Sequence, residues 1–184
     1  RIIKTILSLK ITDFIKILFL KIIFILNKKN IFKNIKNYFH IDNINSKKGI
    51  DFLLKNNFDL IISINCPQII SKTVLNTVDA DFVNFHPGKL RQYRGIFIPF
   101  HCIYNKEDSI YLSFHKINER IDCGTLIDQL GHSIDKNDGI YSLYKKLFLS
   151  EKLKKFILQS IEKYTEIKNN KIDISHLNDK YYKY

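Results

Sequence analysis

Leu60-Ile61-Ile62-Ser63-Ile64 is a short, nearly continuous apolar run, the pattern of a strand buried on both faces of a sheet. Around it, strand-like and helix-like stretches alternate. Tyr38 to Ile41 reads as a short strand, and Ser46 is placed to cap a helix running to about Asn56. After Pro67 a short helix is expected from about Ser71 to Asn76, then a strand from Phe82 to Phe85. A loop leads to a helix near Ile98 to Asn105 and a strand at Tyr111 to Lys116. A turn at Asp122 to Gly124 precedes a strand at Leu126 to Gln129. Asp138 opens a long helical stretch, in two pieces, to about Glu166. This alternation predicts an α/β domain with a largely parallel sheet.

The chain's breakers gather in one region. All three prolines (67, 87, 99) and three of the glycines (88, 95, 124) lie between positions 67 and 124, where the backbone must turn sharply or approach a ligand. Ligands of an open parallel sheet sit at the carboxyl ends of its strands, and Asn84 and His86 stand at such an end. Two positions apart on an extended strand, they project to the same side. Asn supplies a neutral hydrogen-bond donor, and His can donate, accept or carry charge near neutral pH. Asp122 follows 36 residues later, in a turn with Gly124. A carboxylate there can meet His86 and favour its protonated form. Two donors for an oxyanion and one carboxylate for protons suit acyl transfer to an amine.

Asn84-Phe-His-Pro-Gly-Lys-Leu-Arg-Gln-Tyr-Arg-Gly95, with Ser113-Phe114-His115 and Asp122-Cys123-Gly124 in order behind it, resembles the catalytic loop of formyltransferases that use 10-formyltetrahydrofolate. The likeness covers roughly residues 57–150. It implies a Rossmann-like formyltransferase domain, a cytoplasmic enzyme and no metal. Asn84, His86 and Asp122 are the implied catalytic trio. The two donors would stabilise the tetrahedral intermediate, and Asp122 would orient or charge His86 and relay a proton through water. The folate donor is implied to lie near Gln68, Ile70 and the turn holding Glu119, Ile121 and Gly124. Lys89, Tyr93, Arg94 and Gly95 would form the acceptor side, where Lys89, Arg91 and Arg94 could meet phosphate. Ser113 and His115 would support the site from behind. The motifs look closest to the amino-sugar branch, so the implied acceptor is the amine of a nucleotide-linked sugar. Methionyl-tRNA and glycinamide ribonucleotide are alternative acceptors, and hydrolysis of the donor or an inactive folate-binding remnant are alternative roles. Two features depart from the family pattern. The usual Leu-Pro of the loop is Leu90-Arg91, which removes a rigid φ angle, and Cys123 stands where many members carry a small residue. The first strand expected of such a fold, with its phosphate-facing turn, is not recognisable.

Composition bounds the rest. The chain has 184 residues, begins with Arg1 and contains no Met, so it reads as a piece of a longer protein, truncated at both ends. Residues 1–37 read as a helical Lys/Ile-rich segment, 38–150 as the catalytic core and 151–184 as a helical extension. The net charge of +12 raises the question of nucleic acid, but its placement argues otherwise. Residues 1–56 carry +9, residues 57–132 carry −1 and residues 133–184 carry +4. The motif region is therefore not basic, and a lysine- and isoleucine-rich codon bias accounts for the excess, Ala occurring only at position 80. In the first 28 residues Lys10, Lys16 and Lys21 interrupt every apolar run, which excludes a membrane span. Ile11, Phe14, Ile15, Leu18, Ile22, Ile25 and Leu26 instead mark one face of an amphipathic helix. Cys66, Cys102 and Cys123 are odd in number and have no C-x-x-C spacing, as expected of a reducing compartment. A nucleophilic role for Cys66 or Cys123 has no accompanying signature, and no P-loop or G-x-G-x-x-G is present.

Overall fold

The computed structural model describes residues 39–169. The amphipathic helix expected near the N-terminus lies outside them. The order is α1 (Lys47–Asn56), β1 (Leu60–Ile64), α2 (Lys72–Thr77), β2 (Asp81–His86), α3 (Ile98–Tyr104), β3 (Ser109–Lys116), β4 (Leu126–Ser133), α4 (Ile140–Phe148) and α5 (Glu151–Asn169). Ser46 caps α1 by accepting from the Gly49 amide, and Ser71 caps α2 by accepting from Val74. Residues 39–41 form no strand. The segment after them is instead held by a side chain: Gln68 accepts from the Ile44 amide at 2.8 Å and donates to the Asp42 carbonyl at 2.6 Å.

The sheet has the order β1-β2-β3-β4 and is mixed, which corrects the expectation of a largely parallel one. β1 and β2 run parallel, while β2–β3 and β3–β4 are antiparallel. The reason lies in the connection after β2. A parallel return must carry the chain back along the whole strand, and α3, with seven residues, spans only about 10 Å at 1.5 Å per residue. β3 therefore starts beyond the carboxyl end of β2 and runs back beside it. β1 is an edge strand among the described residues. Its side chains are half-buried and Ile64 is exposed, where burial on both faces was expected.

Helices cover both faces. Leu53 of α1 and Val74 of α2 pack with Phe82 on one side. On the other, Val83, Phe85, Ile110, Leu112 and Phe114 meet Leu143 and Leu147 of α4 and Leu153, Phe156 and Tyr164 of α5. α5 is also fastened at its far end, where Lys168 lies 2.8 Å from Asp81. Burial alone would raise the Asp81 carboxyl, but hydrogen bonds from Lys168 and Tyr164 bring it below its ordinary value. Among the described residues no helix is long and apolar enough to cross a membrane.

Candidate active site

Side chains alternate along β2, so Phe82, Asn84 and His86 share one face and Val83 and Phe85 the other. Phe82 lies under α1 and α2. Asn84 and His86 continue the same face past those helices, at the carboxyl end, where a cleft of about 610 Å³ opens. β3 brings the complement: Asn84 stands opposite His115, and His86 opposite Ser113. Directly opposed residues share a face, so four polar side chains form one ladder. Past β3 the chain folds back over this face, and Asp122 completes the group.

Hydrogen bonds fix the ring states. His86 Nε2 lies 2.8 Å from the Tyr93 carbonyl oxygen, which can only accept, so Nε2 carries the proton. Nδ1 then faces the Asp122 carboxylate, 3.4 Å from Oδ2. The same reasoning puts the His115 proton on Nδ1, which donates to the Lys116 carbonyl at 2.7 Å. His115 Nε2 is left to accept from the Asn84 amide at 3.3 Å, with Asp122 Oδ1 3.7 Å away. Burial pushes His115 down to about 4, so this ring is neutral at pH 7. Burial also lowers His86, although Asp122 and the Tyr93 carbonyl pull it the other way. His86 Nδ1 and the Asp122 carboxylate therefore face each other, each group held from behind, His86 by the Tyr93 carbonyl and Asp122 by the Gly95 amide.

The loops that hold these groups depend on glycine at two places. A Cβ at Gly88 would sit 2.7 Å from both His86 Nε2 and the Tyr93 oxygen, so only glycine leaves room for that bond. A Cβ at Gly124 would overlap the Lys116 carbonyl oxygen, so glycine lets the Asp122 loop lie flat on the end of β3. Asp122 has a φ of 49° and accepts from the Gly95 amide at 2.9 Å. Buried Ser113 ties the first loop to β3. Its hydroxyl donates to the Gly88 carbonyl at 2.6 Å and accepts from the Leu90 amide at 3.3 Å.

The other sequence-expected residues divide. Gln68, Ile70, Glu119 and Ile121 line the large cleft with Asn84, His86 and Asp122. The Gln68 amide is nonetheless occupied by the backbone of residues 42 and 44, and Glu119 pairs with Lys72 at 2.9 Å. Gly124 lines a separate, smaller cleft of about 230 Å³, together with Arg91 and Arg94. Gly95 lines the large one. Lys89 and Tyr93 line neither of these two clefts. Lys89 lies over the Tyr111 ring, and the Tyr93 hydroxyl donates to Glu107 at 2.6 Å. Among the contributors to the large cleft that were missed in the sequence are Ile96, Phe97 and Tyr144. Ile96 and Phe97 line it as exposed apolar side chains, and Tyr144 reaches it from α4. An Ile-Phe pair inside an otherwise polar loop was the available signal for the first two. Tyr144 had none, because its placement depends on how α4 packs. All three cysteines are free, and Cys123 donates to the Ile121 carbonyl rather than to either histidine.

A mixed sheet with a His–Asp–His group beside a strand end makes this an α/β domain with a candidate catalytic site, and comparison with known proteins supplies the family. Residues 26–160 match the formyl transferase family, and the chain belongs to it. The bifunctional polymyxin resistance protein ArnA of Wigglesworthia glossinidia brevipalpis is 33% identical over 127 residues, which are 69% of this chain and 19% of that protein. GDP-perosamine N-formyltransferase of Brucella melitensis is 29% identical over 102 residues, 55% of this chain and 39% of the relative. Methionyl-tRNA formyltransferases match at similar identity. The X-ray structure of a sugar N-formyltransferase from Shewanella sp FDAARGOS_354 shares the fold. Its TM-score is 0.51 at 24% identity, over 77% of this chain and 52% of that one. The chain thus spans well under half the length of the curated relatives named here.

Proposed function

We propose that this chain is the catalytic core of a cytoplasmic enzyme that moves the formyl group of 10-formyltetrahydrofolate onto the amine of a nucleotide-linked amino sugar. The observation that carries this reading is the Asn84–His115–Asp122–His86 group in the wall of the large cleft, in a chain of the formyl transferase family. The cleft is large enough for a flat donor, and apolar side chains at Ile70, Ile96, Phe97 and Ile121 suit an aromatic ring system. The donor supplies the formyl carbon. The acceptor nitrogen attacks it, a new C–N bond forms, the bond to the donor nitrogen breaks, and the proton lost by the amine ends on that nitrogen.

The chain's part in this is electrostatic and prototropic. Asn84 has two N–H donors and gives one to His115, leaving the other for the formyl oxygen as it becomes negative. His86 Nε2 rests on the Tyr93 carbonyl. A developing oxyanion is a stronger acceptor than a peptide carbonyl and draws that N–H away from it. Asp122 accepts the amine proton, holds it against the His86 Nδ1 lone pair, and returns it to the leaving nitrogen. The sugar-nucleotide acceptor rests on the Brucella relative and the form of the motifs, and the −1 charge of residues 57–132 favours it over tRNA. Three free cysteines suit the cytoplasm.

The test is turnover of 10-formyltetrahydrofolate with and without amine, across nucleotide-linked amino sugars, glycinamide ribonucleotide and methionyl-tRNA. The expected result is amine-dependent turnover, greatest with a sugar nucleotide. Equal turnover without any amine would make the protein a hydrolase and sink the transferase reading.

A further inference from the structure

Tyr93 lines neither of the two clefts, yet it is fastened at both ends. Its carbonyl oxygen accepts from His86 Nε2 at 2.8 Å. Its phenol donates to Glu107 Oε1 at 2.6 Å and accepts from Asn105 Nδ2 at 2.9 Å. Burial and the bond to Glu107 push the phenol up to about 12, so it keeps its proton and stays a donor. The ring between these ends packs against the main apolar core. The phenol's partners are themselves well held. Asn105 is the C-cap of α3, and its amide donates to the His101 carbonyl at 2.9 Å. Lys106 follows with a φ of 56°, and the Glu107 amide turns back onto the carbonyl of buried Cys102 at 2.9 Å. β3 begins two residues later, at Ser109.

Elsewhere the loop is tied at Gly88 and Leu90 by Ser113, and at Gly95 by Asp122. The Tyr93 peptide lies between these ties. Its amide only closes a local turn onto the Lys89 carbonyl, so the side chain is what fixes it to the rest of the fold. That placement decides a tautomer. A neutral imidazole carries one proton, and at His86 two acceptors compete for it. The Tyr93 oxygen lies 2.8 Å from Nε2, and Asp122 Oδ2 lies 3.4 Å from Nδ1. At equal distance a carboxylate is the stronger acceptor, so only the shorter contact keeps the proton on Nε2. A retreat of the carbonyl by a little over half an ångström evens the two contacts and passes the proton to Nδ1. Nε2 would then meet the formyl oxygen with a lone pair in place of an N–H.

We infer that Glu107 and Asn105, acting through the Tyr93 phenol, hold the Tyr93 carbonyl where it keeps the His86 proton on Nε2, ready for the oxyanion. This rests on the transferase reading above and names what sets the state of its histidine. Tyr93, Asn105 and Glu107 are then positioning residues rather than catalytic ones.

The test reads the tautomer itself, from the ring-nitrogen chemical shifts of His86 in the full chain. It is made at about pH 8, because burial holds this ring below its ordinary 6.5 and so keeps it neutral there. The spectrum of His86→Asn assigns the signals. In wild type the proton is on Nε2. Tyr93→Phe keeps the ring and loses only the hydroxyl, and Glu107→Ala changes an exposed position that the fold does not need. In both, the Nδ1–H form rises to about half of the population. Glu107→Gln retains an oxygen acceptor and retains the wild-type tautomer. Formyl transfer is the second readout: kcat falls about tenfold in Tyr93→Phe and Glu107→Ala, while KM for the donor stays within about twofold. Glu107→Gln recovers kcat to within about threefold of wild type. A His86 tautomer that is unchanged in Tyr93→Phe or in Glu107→Ala overturns the inference, and so does a rise in KM with kcat unchanged. If wild type transfers formyl to no amine, the transferase reading fails, and the nitrogen shifts still decide whether the phenol sets the tautomer.

Discussion

The two faces of the β2–β3 pair are built from interleaved residues and have opposite characters. On one face Phe85 stacks on Phe114 at 4.5 Å, and Phe156 closes edge-on at 5.9 Å. On the other, one position along in each strand, Asn84 meets His115 and His86 stands opposite Ser113. The apolar face has no partner to choose and works by area and fit. The polar face works only if each donor finds its acceptor, because buried polar groups left unpaired are costly. The period of two in a strand lets four residues, Val83 to His86, serve both ends, with the core directly behind the proposed chemistry.

This comparison separates mutations by what they damage. The largest effect is expected on the polar face. Asp122→Asn keeps an oxygen for the Gly95 amide but removes the proton acceptor, so amine-dependent formyl transfer should fall about 10³-fold, with little change in melting temperature. Steady-state transfer and calorimetric melting on the same preparation check both halves. Phe85→Ala should do the reverse in kind. It removes the ring that Phe114 and Phe156 pack on, at a cost of about 3–5 kcal/mol in denaturant unfolding. Gly124→Ala lies between them, since its Cβ meets the Lys116 carbonyl and must push the Asp122 loop away. A displacement near 1 Å can cost on the order of 10²-fold in rate, and the overpacking about 1–3 kcal/mol. A loss confined to stability would detach the loop from the site.

The smallest effect is a pH dependence. The folded value for His115, about 4, lies below the ordinary 6.5 because burial disfavours the charged ring. The unfolded chain binds this proton more readily. The contribution of His115 to stability is therefore complete above about pH 6.5 and is lost progressively as pH falls towards 4. Denaturant midpoints between pH 7.5 and 4.5 should decline for wild type and decline less for His115→Asn. Parallel curves would mean that the ring is not buried as described.

The same two faces explain what was legible in the sequence. The helix cap at Ser46 and the strand at β2 follow from local chemistry and stand where they were expected, while Ser71, read as the start of a helix, caps it. Asn84 and His86 on one face required only strand periodicity, and Asp122 required the motif that follows. The direction of β3 was not legible. It depends on α3 being too short to carry the chain back, and hydrophobic pattern does not encode direction. The partners of Gln68 and Tyr93 were hidden for a similar reason. A side chain that lines a cleft and one that ties down a neighbouring loop have the same sequence signature, and only the fold shows that the Gln68 amide is taken by residues 42 and 44. Arg91 carried a visible signal, an arginine in place of proline, but its left-handed backbone belongs to the folded loop.

In the proposed function the polar face of β2–β3 performs formyl transfer to an amine while the face behind it holds the fold. His86→Ala tests it most directly, measured for amine-dependent consumption of 10-formyltetrahydrofolate and for thermal unfolding in the same buffer. Transfer is expected to fall about 10²- to 10³-fold, with the unfolding transition kept cooperative. Transfer at the wild-type rate in the His86→Ala protein would contradict it and place the chemistry elsewhere.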